Sequence, residues 1–566
     1  MSVVLSEHLP LLASAPDGIQ KLRGLILELA VRGKLVPQDP NDEPASELLK
    51  RISKERTHLE AEGKIRKAKQ LPPLGEDERP FDLPTPWEWS RLGIVSEKLT
   101  DGSHNPPPDF GSGLPMFSSQ HVQDGWIDTS NPSRYLSAQD FESEDSRTKV
   151  STGDVLLTIV ASIGRSAVVT KEHGRFALQR SVAVIKSGLA PEFLSLQLRA
   201  PVARSYYDKH GKGTAQKGIY LGKLGEMPVA VPALAEQHRI VAKVDELMAL
   251  CDRLEAEQAG ADAAHARLVA TLLGTLTQSS DAADLAANWQ RLAEHFDTLF
   301  TTEASLEALK QTILQLAVMG KLVPQDPNDE RASELLKRIA KERARLEATG
   351  KIRKSKLVPP VDEDERLFSL PSGWEWIRFA AVATTRLGKM LDAAKNRGEL
   401  KPYLRNTNVQ WFRFDLEDIK ELRLDNEELD ELRLETGDLL ICEGGEPGRC
   451  AIWREDTEEM YFQKALHRAR PDGGTLAEYL QIVLRQDAVS GSLERYFTGA
   501  TIKHFSGEKL AAYAIPLPPV AEQHRIVAKV DELMALVDRL KADLAESRVQ
   551  QDRLAVTLIE SALKAA

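Results

Sequence analysis

The chain repeats itself almost to the letter. The segment GKLVPQDPNDEPASELLKRISKERTHLEAEGKIRK beginning at Gly33 returns as GKLVPQDPNDERASELLKRIAKERARLEATGKIRK beginning at Gly320. EDERPFDLPTPWEW, ending at Trp89, matches EDERLFSLPSGWEW, ending at Trp376, and EQHRIVAKVDELMAL from Glu236 recurs unchanged from Glu522. A repeat this close constrains the fold more than any local propensity, because each copy must build the same supersecondary unit.

Between these borders lie two stretches of nearly equal length, about 91–235 and 378–521, that share only a skeleton. Each has a TGD turn before an apolar run (152–157 and 436–441), then a Gly-Arg step at Gly164-Arg165 and Gly448-Arg449. Each continues with a short basic-polar run, LQRSVAVIK or FQKALHRAR, and closes on GTAQKGIY or GATIKHFS. The pattern reads as one fold carrying two different surfaces.

At 566 residues the chain is too long for one core and implies three or four domains. No apolar run approaches the roughly 20 residues that span a bilayer, and residues 1–16 lack the basic start and apolar stretch of a signal peptide. Cys251, Cys442 and Cys450 form no CxxC pair and have no histidine at metal-ligand spacing, so they offer no metal site and point to a reducing cytoplasm. The net charge of -11 argues against indiscriminate coating of nucleic acid while leaving room for local basic patches.

Apolar residues at helical spacing run through Ile240, Val244, Leu247, Cys251, Leu254, Leu268 and Leu272, and again through Ile526, Val530, Leu533, Val537, Leu540, Leu544, Leu554 and Leu558. These are heptad seams of helices roughly 55 to 60 Å long, a length suited to a spacer. Polar breaks fall at equivalent places, Gln258 with His265 and Ser547 with Gln551. The expected class is α+β: two mixed α/β domains, two long antiparallel coiled-coil helices, tandem halves related by a pseudo-twofold axis, and an extra helical N-terminal region. The expected segments are a helical lead at 1–89 that duplicates the central region, a variable domain at 90–235, a central helical region at 236–376 whose long helix covers 236–276, a second variable domain at 377–521, and a long C-terminal helix at 522–566. The lead is expected to pack near the end of the second long helix.

The GDVLLT and GDLLIC turns, the endings VAVPALAEQHRIVAKVDEL and PLPPVAEQHRIVAKVDEL, and the segments LAVRGKLVPQDP and LAVMGKLVPQDP resemble the specificity subunits of Type I restriction-modification systems over essentially the whole chain. The resemblance implies two target-recognition domains that read the halves of a bipartite site on double-stranded DNA. It also implies helical regions that bind two modification (methyltransferase) subunits, with restriction subunits (endonuclease and translocase) joining them. S-adenosylmethionine, ATP and Mg are then expected on those partners. Because the frames agree while the surfaces differ, the target should be asymmetric, and helices of this length would set the readers one to two turns of B-DNA apart, about 35 to 60 Å. Many family members begin at the first recognition domain, and this chain departs from them by its helical lead.

The tract 199–223 carries Arg199, Arg204, Lys209, Lys212, Lys217 and Lys223 against the single acid Asp208, with Thr214 and Gln216 between the lysines, and is the expected phosphate contact. Its counterpart offers Arg495, Thr501, Lys503 and His504. Base readout needs donors and acceptors on loops that enter a groove. Ser118, Ser119, Gln120 and His121 supply them in the first domain, and Arg405, Asn406, Asn408 and Gln410 in the second, with Gln179-Arg180 and Gln463-Lys464 as a further pair and Arg165 beside the Gly-Arg step. Basic clusters at 64–69 and 351–356 could meet the DNA backbone or an acidic partner, and the Trp87/Trp89 and Trp374/Trp376 pairs read as core anchors.

Two rival readings compete. Asn105-Pro106-Pro107-Pro108 resembles an adenine-methylase motif, but its fourth residue is proline and no FxGxG loop precedes it. A coiled-coil adaptor that binds proteins and no specific DNA is the other, and the acidic stretch 415–438 gives it some support.

Overall fold

The computed structural model describes residues 12–13, 15–65, 71–213, 216–349, 358–392, 394, 396–454 and 459–565. The chain divides into two compact units, Met1–Gly260 with Ser547–Ala566, and Ala261–Glu546. Each unit holds the first part of one long helix and the last part of the other, the helices spanning Leu234–Gln278 and Val520–Ala565. No helix among the described residues is long and apolar enough to cross a membrane.

In the first unit the helix Gly18–Val31 buries Leu22, Leu25, Ile26 and Leu29 at three- and four-residue spacing. That stripe shares a cluster with Ile240, Val244, Leu247 and Cys251 from the start of the first long helix and with Ala562 from the end of the second. Arg23 pairs with Asp252 and Glu255, Lys21 pairs with Asp552, and the Lys34 ammonium donates to the Leu563 carbonyl at 3.1 Å. The helical lead therefore packs where the repeat placed it. In the second unit the copy, Glu303–Val318, gathers Ile526, Val530 and Val537 together with Val269, Leu273 and Leu276.

The heptad seam needs one correction. Leu268 and Leu554 are 51% and 45% exposed, and the buried residues beside them are Val269 and Ala555. Each long helix meets one cluster with its first turns and another with its last, with an exposed middle between; Val269 and Ala555 stand about five turns of a straight α-helix beyond buried Cys251 and Val537, so the buried face keeps the 3.6-residue period and leaves the 3.5-residue heptad.

Each unit carries one mixed domain closed at its neck by an antiparallel pair, Glu88–Arg91 with Pro228–Val231 and Glu375–Arg378 with Ala514–Leu517. Within the first domain a four-stranded antiparallel sheet runs in the order Ser96–Asp101, Val182–Ser187, Val155–Thr158, Ser166–Val168. A three-stranded sheet places Leu114–Phe117 between Arg134–Leu136 and the parallel Ala177–Leu178. The second domain repeats both sheets, with Ala383–Leu387, Leu466–Pro471, Leu439–Cys442 and Cys450–Ile452 in one, and Lys420–Leu424, Glu399–Leu404 and Tyr461–Phe462 in the other.

The TGD turn shows how sequence sets this frame. Gly153 and Gly437 take φ +87° and +94°, a region open to glycine. The next residue, Asp154 or Asp438, is buried and accepts a backbone N–H from Ser151 or Glu435, both at 2.8 Å. A cation neutralises it: Lys98 at 2.6 Å in one domain, Arg470 at 2.7 Å in the other. A carboxylate paired with a cation tolerates burial, even with Asp154 Oδ1 left without a partner, and it launches the apolar strands Val155–Thr158 and Leu439–Cys442, which are buried along their length. The Pro-rich connectors are held alike, since the Arg91 guanidinium donates to Pro72 O, Pro73 O and Glu78, and that of Arg378 to Pro359 O, Pro360 O and Glu365.

Candidate nucleic-acid interface

The loop after Leu114–Phe117 and the loop after Glu399–Leu404 are built on one plan. The Ser118 N–H donates to His121 Nδ1 at 3.1 Å, and the Arg405 N–H donates to Asn408 Oδ1 at 2.9 Å. Two residues on, the Gln123 amide donates to Gln120 O at 2.6 Å and the Gln410 amide to Thr407 O at 2.9 Å. The register thus equates Ser118 with Arg405, Ser119 with Asn406, His121 with Asn408, and Gln123 with Gln410.

This register corrects two expected base contacts. His121 is buried, its Nδ1 taken by Ser118 and its Nε2 donating to Asn131 O at 2.7 Å. Asn408 is buried too, and its amide donates to Asp415 O and Asp418 O while its oxygen accepts from Arg405. Neither has a free polar edge, so both act as pins that hold the loop. Gln123, absent from the residues expected above, is the counterpart of Gln410, and HVQ at 121–123 against NVQ at 408–410 is its signal in the sequence.

Other predicted residues converge on the same loop. The Ser119 N–H donates to Ser181 Oγ at 3.0 Å, and Gln179 N–H donates to Phe117 O at 2.9 Å. In the second domain Gln463 N–H donates to Leu404 O at 3.1 Å. Arg180 and Lys464 are exposed beside these contacts. Gln120 is exposed, with one long contact to Ser133 at 3.4 Å, while Arg405 is drawn to Asp418 at 2.7 Å and Asn406 reaches Gly444 O at 3.4 Å.

A small hairpin forms the second part. Lys212 and Gly218 exchange backbone hydrogen bonds at 2.9 and 2.8 Å, as do Thr498 and His504. Gly213 and Gly499 sit at φ +119° and +95° inside these turns, where a Cβ would collide with the carbonyls of Gln216 and Ile502. The first hairpin is tied to the chain leaving Val155–Thr158 by Ala161 N–H to Lys217 O at 3.0 Å, and the second to the chain leaving Leu439–Cys442 by Phe505 N–H to Glu443 O at 2.7 Å. Gln216 and Lys217 are exposed, as are Thr501, Lys503 and His504; Thr214 lies outside the described residues.

Charge is distributed unequally between the domains. The side chains of Arg165, Arg180, Lys209, Lys212 and Lys217 make no hydrogen bond or ion pair among the described residues. The remaining cations of the 199–223 tract are committed: Arg204 to Asp124, Lys223 to Glu226, and Arg199, whose pKa burial pushes down, to Ser195 O. In the second domain Lys503 pairs with Glu494 at 2.9 Å, Arg449 with Glu446 at 2.9 Å, and Arg495 donates to Glu365 O. Lys64 pairs with Glu62; the other basic residues of the 64–69 cluster and the whole 351–356 cluster lie outside the described residues. The 105–108 stretch is a surface loop whose Pro106 and Pro107 carbonyls accept from Arg134.

Comparison with known proteins points one way. A family model for the Type I restriction modification DNA specificity domain matches residues 108–259 and 371–546. The Type I restriction enzyme EcoEI specificity subunit of Escherichia coli is 37% identical over 580 residues, covering 96% of this chain and 94% of that protein. The EcoAI specificity subunit, also of Escherichia coli, is 36% identical over 565 residues with the same coverage. A chain from a solved structure of type I R-M system assembly aligns with TM-score 0.48 at 19% identity, covering 86% of this chain and 99% of that one.

Proposed function

The chain belongs to the Type I restriction-modification DNA specificity family, and from that premise we propose that it is a non-catalytic subunit whose two recognition domains read the unlike halves of an asymmetric, bipartite DNA site. Two modification subunits and the restriction subunits complete the assembly. Methyl transfer, ATP-driven translocation and cleavage, with S-adenosylmethionine, ATP and Mg, belong to those partners. The cytoplasm, where host DNA lies, is the compartment, and three unpaired buried thiols suit it.

One observation carries this reading: matching backbone bonds hold side chains that differ. Ser118 against Arg405, Ser119 against Asn406, Lys212 against Thr498 and Gln216 against Ile502 occupy equivalent places on equivalent frames. A scaffold that keeps its hydrogen bonds and changes its surface is what two readers of different sequences need, since backbone contacts position and side chains specify. The unpaired lysines of the first hairpin serve the phosphates.

Selection from a random-sequence duplex pool by the full chain with its modification subunits tests the proposal. Two unlike blocks of specified bases separated by unspecified ones are expected. Enrichment of no motif would favour the protein-binding adaptor.

A further inference from the structure

We propose that Phe412 is a base-stacking contact of the second recognition domain, its ring presented on a turn to lie against an unstacked DNA base. The inference rests on the DNA-reading function above and adds a contact that hydrogen-bond readout does not require.

Gln410 and Arg413 pair across a tight turn whose inner residues are Trp411 and Phe412. Phe412 has φ +64°. The corresponding turn of the first domain places Gly125 there, at φ +98°. Backbone bonds establish the equivalence: Gly125 N–H donates to Ser166 O at 2.9 Å and Phe412 N–H to Cys450 O at 3.1 Å, each acceptor standing two residues after the glycine of the Gly-Arg step. Glycine is at ease in the left-handed region, and a bulky side chain there is an outlier that costs stability. Strain of this kind persists where the surroundings enforce it, and it gathers at functional sites.

Packing does not account for the ring, since Phe412 is 51% exposed. What holds the turn is its neighbour. The Trp411 indole N–H donates to Glu446 at 2.7 Å, and the Arg485 guanidinium lies 4.8 Å above the Trp411 ring. The turn leaves the reading loop directly at Gln410, and exposed Arg413 stands beside Phe412 to meet a phosphate. The first domain, with glycine at the strained position, carries an exposed aromatic one residue further on, Trp126 at 58%. Both reading loops thus end in an outward aromatic. Such rings stack on bases of any identity, and apolar wedges open base steps.

The test uses the full chain and the duplex that the wild-type protein selects from a random pool, with 2-aminopurine placed at each position in turn. Wild-type protein is expected to change the fluorescence at one position of one half-site. Phe412→Gly should abolish that change and weaken binding about tenfold, while its thermal midpoint stays level or rises because the turn is relieved. Phe412→Trp should keep affinity within about twofold. A glycine variant with wild-type affinity and signal would overturn the contact. So would unchanged DNA affinity with lost binding of the modification subunits, which would assign the ring to a protein partner. A wild-type chain that selects no motif would overturn the DNA-reading function itself and this contact with it, and that failure shows in the wild-type arm alone.

Discussion

The indole N–H of Trp374 donates to the buried carboxylate of Glu522 at 2.9 Å, as that of Trp87 does to Glu236 at 3.0 Å. In each case a glutamine, Gln325 or Gln38, donates to the same carboxylate at 3.1 Å. These contacts fasten the neck of each recognition domain to the first turn of a long helix.

Burial raises both carboxyl pKa values, and the indole and amide donors hold the rise in check. A carboxyl raised in the folded state costs stability as pH climbs from the ordinary carboxylate range through the raised value. Trp374→Phe removes a donor to the charged form and should destabilise the protein by about 1–3 kcal/mol at pH 7.5. The loss should shrink near pH 4, where the carboxyl is protonated. Thermal melts at the two pH values check this; an equal loss at both would assign the effect to packing alone.

Asp487 makes a sharper pH prediction. Burial pushes its pKa up to about 6, with the Tyr513 hydroxyl donating to it at 2.6 Å and partly opposing the rise. The folded state therefore binds the proton more tightly than the unfolded chain, and stability falls between about pH 4 and 6. Asp487→Asn keeps an acceptor for Tyr513 and removes the charge. It should stabilise the protein by up to about 3 kcal/mol at pH 7.5, with no gain near pH 4. A variant less stable than wild type at pH 7.5 would contradict the account.

Lys212 and Lys217 are exposed without an acidic partner among the described residues, whereas Lys503 is paired with Glu494. The double substitution Lys212→Ala with Lys217→Ala should weaken DNA binding across all sequences and lower the slope of log affinity against log salt by about 1 to 2. Lys503→Ala should change the slope less. Gel shifts from 50 to 200 mM salt measure both, and an unaltered slope in the double variant would remove these lysines from the phosphate contacts.

The repeated borders made the architecture legible, because identical segments must fold alike and the TGD and Gly-Arg steps recur at matched positions. Helical spacing locates the long helices, but a strict seven-residue repeat drifts about 20° per heptad against a straight α-helix, so it reaches exposed Leu268 where the 3.6-residue period from Cys251 reaches buried Val269. The loops were harder. Sequence marks His121 and Asn408 as polar, yet a polar side chain in a loop can serve a base or its own backbone, and only the closed turns from Ser118 and Arg405 decide for the backbone. Polar content alone does not single out Gln123, and only the V-Q step it shares with Gln410 marks it. The strain at Phe412 has no sequence signature at all, for it emerges only when its turn is laid on that of Gly125.

The central claim is that each domain reads its own half-site on a shared frame. Replacing residues 91–235 with the corresponding domain of another family member, and then mapping methylated bases across the host genome, tests it most directly. The account predicts that one block of the methylated motif changes while the other block stays as it was. A motif left wholly unchanged, or altered in both blocks, would contradict it.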